Sequence, residues 1–234
     1  HKWTGVIPEG FTLHNYVDLF TDSNFLASVG RSIGMCIIPI IVTIIIVLLA
    51  LFVTAIYFPK LEKYVQIICM IPYTIQGVIL SVSILSLYVG SSSILSNRLV
   101  MLMGAYCIVI LPYIYQGIRN GMRAVNMPTL IEAAEMLGAS KIYAFFRVVV
   151  PNILSAIIVS SLLAVGIIFG DYVLIRNLAG TSAPNMQIFL YQTMKSDSTK
   201  ASAVFVVIMF VTFVITAIVL FVKSREAKGK THRK

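Results

Sequence analysis

Charge is scarce in this chain. Asp, Glu, Lys and Arg make up 12% of its 234 residues, about half the roughly 25% of a soluble domain. Hydrophobic residues make up 59%, against about 45–50% in soluble proteins. A water-excluding globular core is therefore the wrong frame, and membrane spans set the architecture. Cysteine is scarce as well. Cys36, Cys69 and Cys107 all lie within apolar runs and show no CxxC or Cys/His spacing. That excludes a metal site or a disulfide framework and leaves buried, inert thiols. The three histidines, His1, His14 and His232, are isolated and near the ends, so none is given a ligand role.

The most informative absence is inside the apolar runs. Residues 37–56, 64–89, 99–118, 149–170 and 201–222 contain no Asp, Glu, Lys, Arg or His. A proton- or sodium-coupled carrier normally places ionisable groups there. Their absence argues against such a carrier and leaves the energy source to another subunit. No nucleophile–base pair or metal cluster stands out either, so no enzyme and no catalytic residue is expected.

What is present is a set of spans. A span needs roughly 20 predominantly apolar residues. Five stretches qualify, near 27–58, 64–89, 99–117, 149–170 and 201–222. The first is long enough to tilt or to begin outside the bilayer. Pro39, Pro72 and Pro112 fall within spans, where kinks are the expected outcome.

The net charge of +9 would raise nucleic acid as a partner in a soluble protein. Here the basic residues flank apolar runs, and topology explains them without nucleic acid. With the C-terminus inside, Lys60, Lys63, Arg119, Arg123, Lys141, Arg147 and the tail from Lys223 to Lys234 fall inside. Lys2, Arg31, Arg98, Arg176, Lys195 and Lys200 fall outside. That satisfies the positive-inside rule. Residues 1–25 then lie outside, and the simplest expectation is one more span upstream of His1, making six. Trp3, Phe11, Tyr16 and Phe20, with Pro8 and Gly10, suit an interfacial segment outside the first visible span. The tail 223–234 is basic and suits anionic lipid. Its stretch from Ser224 to Thr231 nearly spells a phosphate-binding loop. Ser224, however, replaces the first Gly, and neither a preceding strand nor a following βα unit is present.

Between the third and fourth visible spans, on the side taken as inside, lies EAAEMLGASKIYAFFRVVVP, residues 132–151. Asn126-Met127-Pro128 reads as a turn. Thr129 and Glu132 fit a capping box. The helix so started is expected to run to Leu137 and stop at Gly138 in the left-handed C′ position. Ser140 caps a second helix through about Arg147, and Pro151 fits the first turn of the next span. Leu130, Ala133, Ala134 and Leu137 make an apolar face at i, i+3, i+4, i+7 spacing. So short a helix is marginal alone and needs a partner or the membrane surface to hold it.

Glu132-Ala133-Ala134, Gly138 and the close Val148-Val149-Val150-Pro151 resemble the EAA loop of the membrane-spanning subunits of binding-protein-dependent ABC importers. Val148 and Val150 stand where Ile and Leu are more usual. The resemblance extends through roughly residues 12–222. It implies an all-α membrane protein of the type I ABC importer permease fold, with residues 26–222 as the permease domain and 129–151 as its coupling loop. It further implies a multi-pass protein of the bacterial inner membrane that pairs with a second, related but non-identical permease subunit. Two cytoplasmic ATPase subunits would hold ATP and Mg, this chain binding no cofactor. An extracytoplasmic solute-binding protein would deliver the solute. In that reading Glu132 pairs with a basic residue of the ATPase, Ala133 and Ala134 pack in its groove, and Gly138 sets the angle between the two short helices.

Two regions are candidates for the solute path. Tyr73, Thr74 and Gln76 put polar groups beside Pro72 and Gly77, either lining a path or joining helices by hydrogen bonds. The external segment after Gly170 carries Asp171, Arg176 and Asn177. It resembles the polyamine, phosphonate and ferric-iron branch of the same family, with polyamine favoured. Asp171 is placed to attract a cation, to pair with Arg176 or to contact a binding protein. Residues 186–194 read as a short surface helix facing that protein. The alternatives are an ATP-independent carrier or channel and, third, a scaffold for other membrane proteins.

Overall fold

The computed structural model describes residues 14–75, 77–90, 96–180 and 183–231. Among them every regular element is a helix. α1 (His14–Thr21) leads to the long α2 (Ser23–Ile56), capped by the Asp22 carboxylate on the Asn24 N–H at 2.9 Å. At about 1.5 Å per residue, α2 is roughly 50 Å long against a hydrocarbon core of about 30 Å. Its first turns are tied to the far end of the chain. Arg31 Nε donates to the Pro184 carbonyl at 2.9 Å, and Asp22 pairs with Lys200 at 2.8 Å. The ion pair holds the Asp22 carboxyl below the usual carboxylate range. α1 packs on α2, with Phe20 edge-on to Phe25 at 5.9 Å. Trp3, Pro8, Gly10 and Phe11 lie outside the described residues.

The second apolar run is not one continuous kinked helix. A 3₁₀ turn (Pro59–Leu61) opens α3 (Glu62–Met70), a second 3₁₀ turn follows (Ile71–Tyr73), and α4 (Val78–Tyr88) leaves at 102°. Pro72 alone would only kink a helix. Gly77, at φ +64°, reverses the backbone immediately before α4, and together they break it. By contrast Pro39 and Pro112 are buried inside unbroken helices.

α5 (Arg98–Ala124) is the hub, packed along both α2 and α9 (Leu154–Phe169). Lipid offers no hydrophobic drive to pair helices, so close packing must do it. A Cβ on Gly117 would lie 2.4 Å from the Ser160 Cβ, and one on Gly121 2.7 Å from the Ala156 Cβ. Two small-x-x-x-small rows thus meet face to face. Before α9 come α6 (Met127–Met136), α7 (Lys141–Ala144), a π turn (Phe145–Val149) and α8 (Val150–Asn152). After it come α10 (Val173–Leu178), α11 (Met186–Ser196) and α12 (Ser198–Thr231).

Among the described residues three helices are long and apolar enough to cross a membrane. The total is five if the two bent pairs, α3–α4 and α7–α9, each count as one. That total agrees with the five runs of the sequence. The outward faces are apolar too: Ile37, Ile41 and Ile45 of α2 and Phe205, Phe210 and Phe213 of α12 are more than half exposed or nearly so. Such a surface suits lipid and not water.

Candidate functional site

The segment joining α5 to α9 is built by backbone geometry. Asn126 sits at φ 50°, ψ 63°, a left-handed residue that turns the chain out of α5. Asn tolerates this better than most residues. Pro128 occupies the first turn of α6, where a missing N–H costs nothing. The capping box expected from Thr129 and Glu132 is therefore absent: the helix has begun two residues earlier, and Asn126 makes no side-chain cap. At the other end Gly138, at φ +86°, donates to Glu135 O at 2.9 Å, and Ala139 donates to Ala134 O at 3.0 Å. That pair of bonds is the Schellman stop.

Ser140 accepts from the Tyr143 N–H at 3.3 Å and starts α7. Pro151 has no N–H for the carbonyl four residues back. The turn before it widens, and Val150 N–H reaches the Phe145 carbonyl instead. Pro151 thus lies in α8, before a 65° bend into α9, and not in the first turn of α9 itself.

The apolar stripe of α6 divides. Met127, Ile131 and Ala134 are buried and Leu130 half-buried against the body. Glu132 and Ala133 are exposed, Met136 is 89% exposed and Leu137 90%. So the four residues read as one face are not one face. Ala134 holds the helix to its own chain, while Ala133 and Leu137 point away with Met136, which the sequence pattern did not single out.

Beside this segment Glu62 of α3 takes Arg119 Nε at 2.9 Å and Nη2 at 2.7 Å, with Arg123 Nη2 at 3.6 Å. The Arg119 side chain is 15% exposed. The two arginines read in sequence only as topology charges, and Glu62 is not singled out there. Here they clamp the start of the broken pair to the last turns of α5.

At the opposite end of α9, side chains do the building. The Asp171 carboxylate accepts from Leu174 N at 3.1 Å, Ile175 N at 3.3 Å and the Tyr106 hydroxyl at 3.3 Å. It therefore caps α10. Burial raises its carboxyl above the usual range, against the pull of those donors. Arg176 does not pair with it. Its guanidinium stacks on Tyr191 instead, 5.4 Å from the ring centre. Asn177 Nδ2 donates to the buried Ser81 Oγ at 2.8 Å, tying α10 to α4. Asn185 Oδ1 caps α11 on Ile188 N at 2.9 Å. One face of α11 is buried through Met186 and Ile188, so it is a seated helix with one free face.

Of the second-span candidates, Thr74 spends its hydroxyl on the Ile71 carbonyl at 2.8 Å, and Gln76 lies outside the described residues. Tyr73 meets Tyr113 edge-on at 5.0 Å. Together they border a groove of about 440 Å³ between α5 and α8–α9, which Gln116, Asn120, Asn152 and Ser155 also line. Among the described residues no Asp, Glu, Lys or Arg lines it. A separate cavity of about 390 Å³ holds Gly77, Tyr106 and Asp171. Among the described residues no His/Cys/Asp/Glu group is placed to hold a metal.

Comparison with known proteins fits this arrangement. Residues 47–226 match the family described as binding-protein-dependent transport system inner membrane component. The chain belongs to that family. It is an ABC importer permease, an inner-membrane transport component and not an enzyme. The permease is 23% identical over 91% of its length to a "Probable ABC transporter permease protein" of Mycoplasma genitalium, covering 72% of that relative. Its fold is similar to that of a bacterial ABC transporter involved in import of the acidic polysaccharide alginate. The TM-score is 0.65 at 17% identity, with 94% of this chain and 85% of that chain covered. A second structure, the alginate transporter in complex with an alginate pentasaccharide-bound periplasmic protein, gives 0.63 at 18% identity, covering 91% and 81%.

In the permease, Gln116, Asn120 and Asn152 are the residues that sequence reasoning passed over. The signal was there in part: Tyr113, Gln116 and Asn120, at i, i+3 and i+7, share one face of an otherwise apolar helix. Asn152 is four residues past Val148, whose carbonyl its amide takes at 2.8 Å. Only the α5–α9 crossing brings it to the same groove.

Proposed function

We propose that residues 127–152 are the coupling element through which cytoplasmic ATPase subunits drive this permease. The exposed row of α6 is the docking face, with Glu132 meeting a basic residue and Ala133, Met136 and Leu137 entering an apolar groove. Thr129 stands at its edge. Ala134 and Gly138 fix the helix and its stop, and Pro151 turns the chain into α9. The observation that carries the reading is the exposure of Met136 and Leu137. Both are freer than the outward-facing Leu87 at 73%, yet they sit on a helix stopped firmly at both ends. An apolar pair so presented finds its partner in another protein.

The C-terminus then lies inside, residues 223–234 form a basic tail, residues 26–222 form the permease domain and residues 1–25 lie outside. A second, related permease subunit completes the path. Two ATPase subunits carry ATP and Mg, and an extracytoplasmic protein delivers the solute. The solute is small and polar, polyamine favoured, with phosphonate or ferric iron as alternatives. The path runs past Tyr73, Thr74 and the groove that Tyr73 borders toward Asp171, Arg176 and Asn177 at the outer end, with Gln76 as a further candidate.

The test is solute uptake and ATPase activity in reconstituted vesicles, wild type against Glu132→Ala and Gly138→Pro, with complex assembly monitored. Both variants are expected to lose ATP-dependent uptake, either uncoupling the ATPase or shedding it. Full uptake by both, or uptake without ATP, would overturn the coupling assignment and favour an ATP-independent carrier.

A further inference from the structure

Among the described residues, two routes lead from the segment 127–152 to α3. At its start α6 follows the last turn of α5, and Arg119 and Arg123 of that helix hold Glu62, the first residue of α3. At its other end the π turn sets Phe145 against Phe52 of α2, with ring centres 4.9 Å apart, and Phe146 at 6.2 Å. Phe52 in turn meets Tyr57 edge-on at 5.9 Å. Tyr57 ends α2, and the Pro59–Leu61 turn carries the chain from there into Glu62. The two routes thus close a ring, and Glu62 is where they meet.

The aromatic route is packing, which fixes shape. The ionic route is directional. Arg119 Nε and Nη2 converge on one oxygen, Glu62 Oε1, at 2.9 and 2.7 Å, and the same guanidinium lies over the Tyr115 ring at 6.0 Å. Its side chain is 15% exposed, against 62% for Arg123. Charge-assisted bonds of this kind hold one geometry and do not slide. From Glu62 to Met70, α3 is a rod of roughly 12 Å. At its far end Gln116 Nε2 donates to Met70 Sδ at 3.2 Å, a weak acceptor. The 3₁₀ turn beyond sets Tyr73 on Tyr113 at the border of the groove. Gly77 and the 102° bend then separate α3 from α4, which Asn177 holds through Ser81. The rod is therefore clamped by charge at the end beside α6 and bent at the end beside the groove.

We propose that Glu62 is a positioning residue for transport. Through Arg119 it makes α3 follow the coupling element, so that α3 swings about the Gly77 bend and carries Tyr73 toward or away from Tyr113. This rests on the reading of residues 127–152 as the coupling element. Glu62 is not among the residues that line the groove, and it acts on the path only through Arg119 and α3.

The experiment uses the assembled transporter, permease with its second permease subunit and ATPases, in nanodiscs. Cys36, Cys69 and Cys107 are replaced by Ala. Spin labels at Ile68→Cys on α3 and Ile158→Cys on α9, both exposed positions, report the distance between the two helices. It is measured without nucleotide and with ATP in EDTA, which permits binding without hydrolysis. Wild type, Glu62→Gln, Glu62→Arg with Arg119→Glu, and Glu132→Ala are compared. Glu62→Gln is expected to lose about half or more of the ATP-dependent change in distance. Its resting distance should stay as in wild type, and its thermal midpoint should barely move, because a half-exposed pair adds little stability. The reversed pair should restore most of the change, since the coupling belongs to the pair and not to either charge. A full change in Glu62→Gln, or a lost change that the reversed pair does not restore, would overturn the proposal. So would a shifted resting distance with a lowered midpoint, which would make Glu62 a structural tie. Loss of the change in Glu132→Ala alone would overturn this inference and leave the coupling reading standing. No change in the wild type, or a full change in Glu132→Ala, would overturn both.

Discussion

At one end of α9 the connecting segment leaves large apolar side chains outside, and at the other it buries them. Met136 and Leu137 are 89% and 90% exposed, whereas Leu174, Ile175, Leu178, Met186 and Ile188 are at most 2% exposed. The segments differ in what holds them. Around α6 the left-handed Asn126 and Gly138 do the turning through backbone dihedrals, so Glu132, Ala133, Met136 and Leu137 stay exposed. Around α10 and α11 the carboxylate of Asp171 and the amides of Asn177 and Asn185 are consumed as caps and ties. What remains free there is Arg176 and Lys195 beside the Tyr191 ring, with Gln192 and Met194. A helix stopped by its backbone can present whatever its sequence offers. A helix pinned by its side chains presents only the residue types left over.

The largest expected effect breaks the first segment without touching its fold. Met136→Gln with Leu137→Gln should abolish ATP-dependent uptake while changing stability by no more than about 0.5 kcal/mol, since neither side chain is packed. A thermal midpoint and an uptake assay on the same preparation check it. A large fall in the midpoint would mean that the pair belongs to the core.

An intermediate effect concerns the second segment and depends on pH. Burial raises the Asp171 carboxyl, so its folded-state value lies above the unfolded one. The folded chain then holds that proton more readily. The contribution of Asp171 to stability is fully present below the unfolded value, about 4, and is lost as pH rises through the raised value. The midpoint of wild type minus that of Asp171→Asn should therefore decrease from acid toward neutral pH. An increase would show that the N–H donors of α10 outweigh burial.

The smallest effect sharpens the account of how α6 begins. Thr129→Ala should change stability by less than about 0.5 kcal/mol, because no capping box forms. A loss of about 1 kcal/mol, typical of a removed cap, would restore Thr129 as the cap.

These contrasts also show how far the residues speak for themselves. The Gly138 stop and the Ser140 cap were legible because each is a local event: a positive φ suits glycine, and a serine oxygen reaches the N–H three residues on. The start of α6 is not legible locally because Asn126-Met127-Pro128 satisfies two patterns, a turn and a helix entry, and the structure takes the second. The sharing of the α6 stripe between body and solvent was not legible at all. The 3.6-residue period says that Leu130, Ala133, Ala134 and Leu137 lie near one another, but not which way the helix is rotated against α5 and the π turn. Asp171 shows the same limit: its charge was readable, its use as a cap was not.

By itself the sequence determined that the chain is helical and built for lipid, where its five apolar runs lie, and that its EAA loop ties it to ABC importer permeases. The first two are properties of composition and period, which need no partner in space, and the third rests on the loop's resemblance to a known family. The tertiary structure decided that the run 62–88 breaks by 102° and that the groove polarity comes jointly from α5 and α8. It decided too that Ala134 is anchor and Leu137 surface, and that Arg176 meets Tyr191 in place of Asp171. Each depends on how two helices cross, and in lipid that crossing is set by the fit of small residues such as Gly117 on Ser160, a matter of shape between distant segments that no single segment encodes.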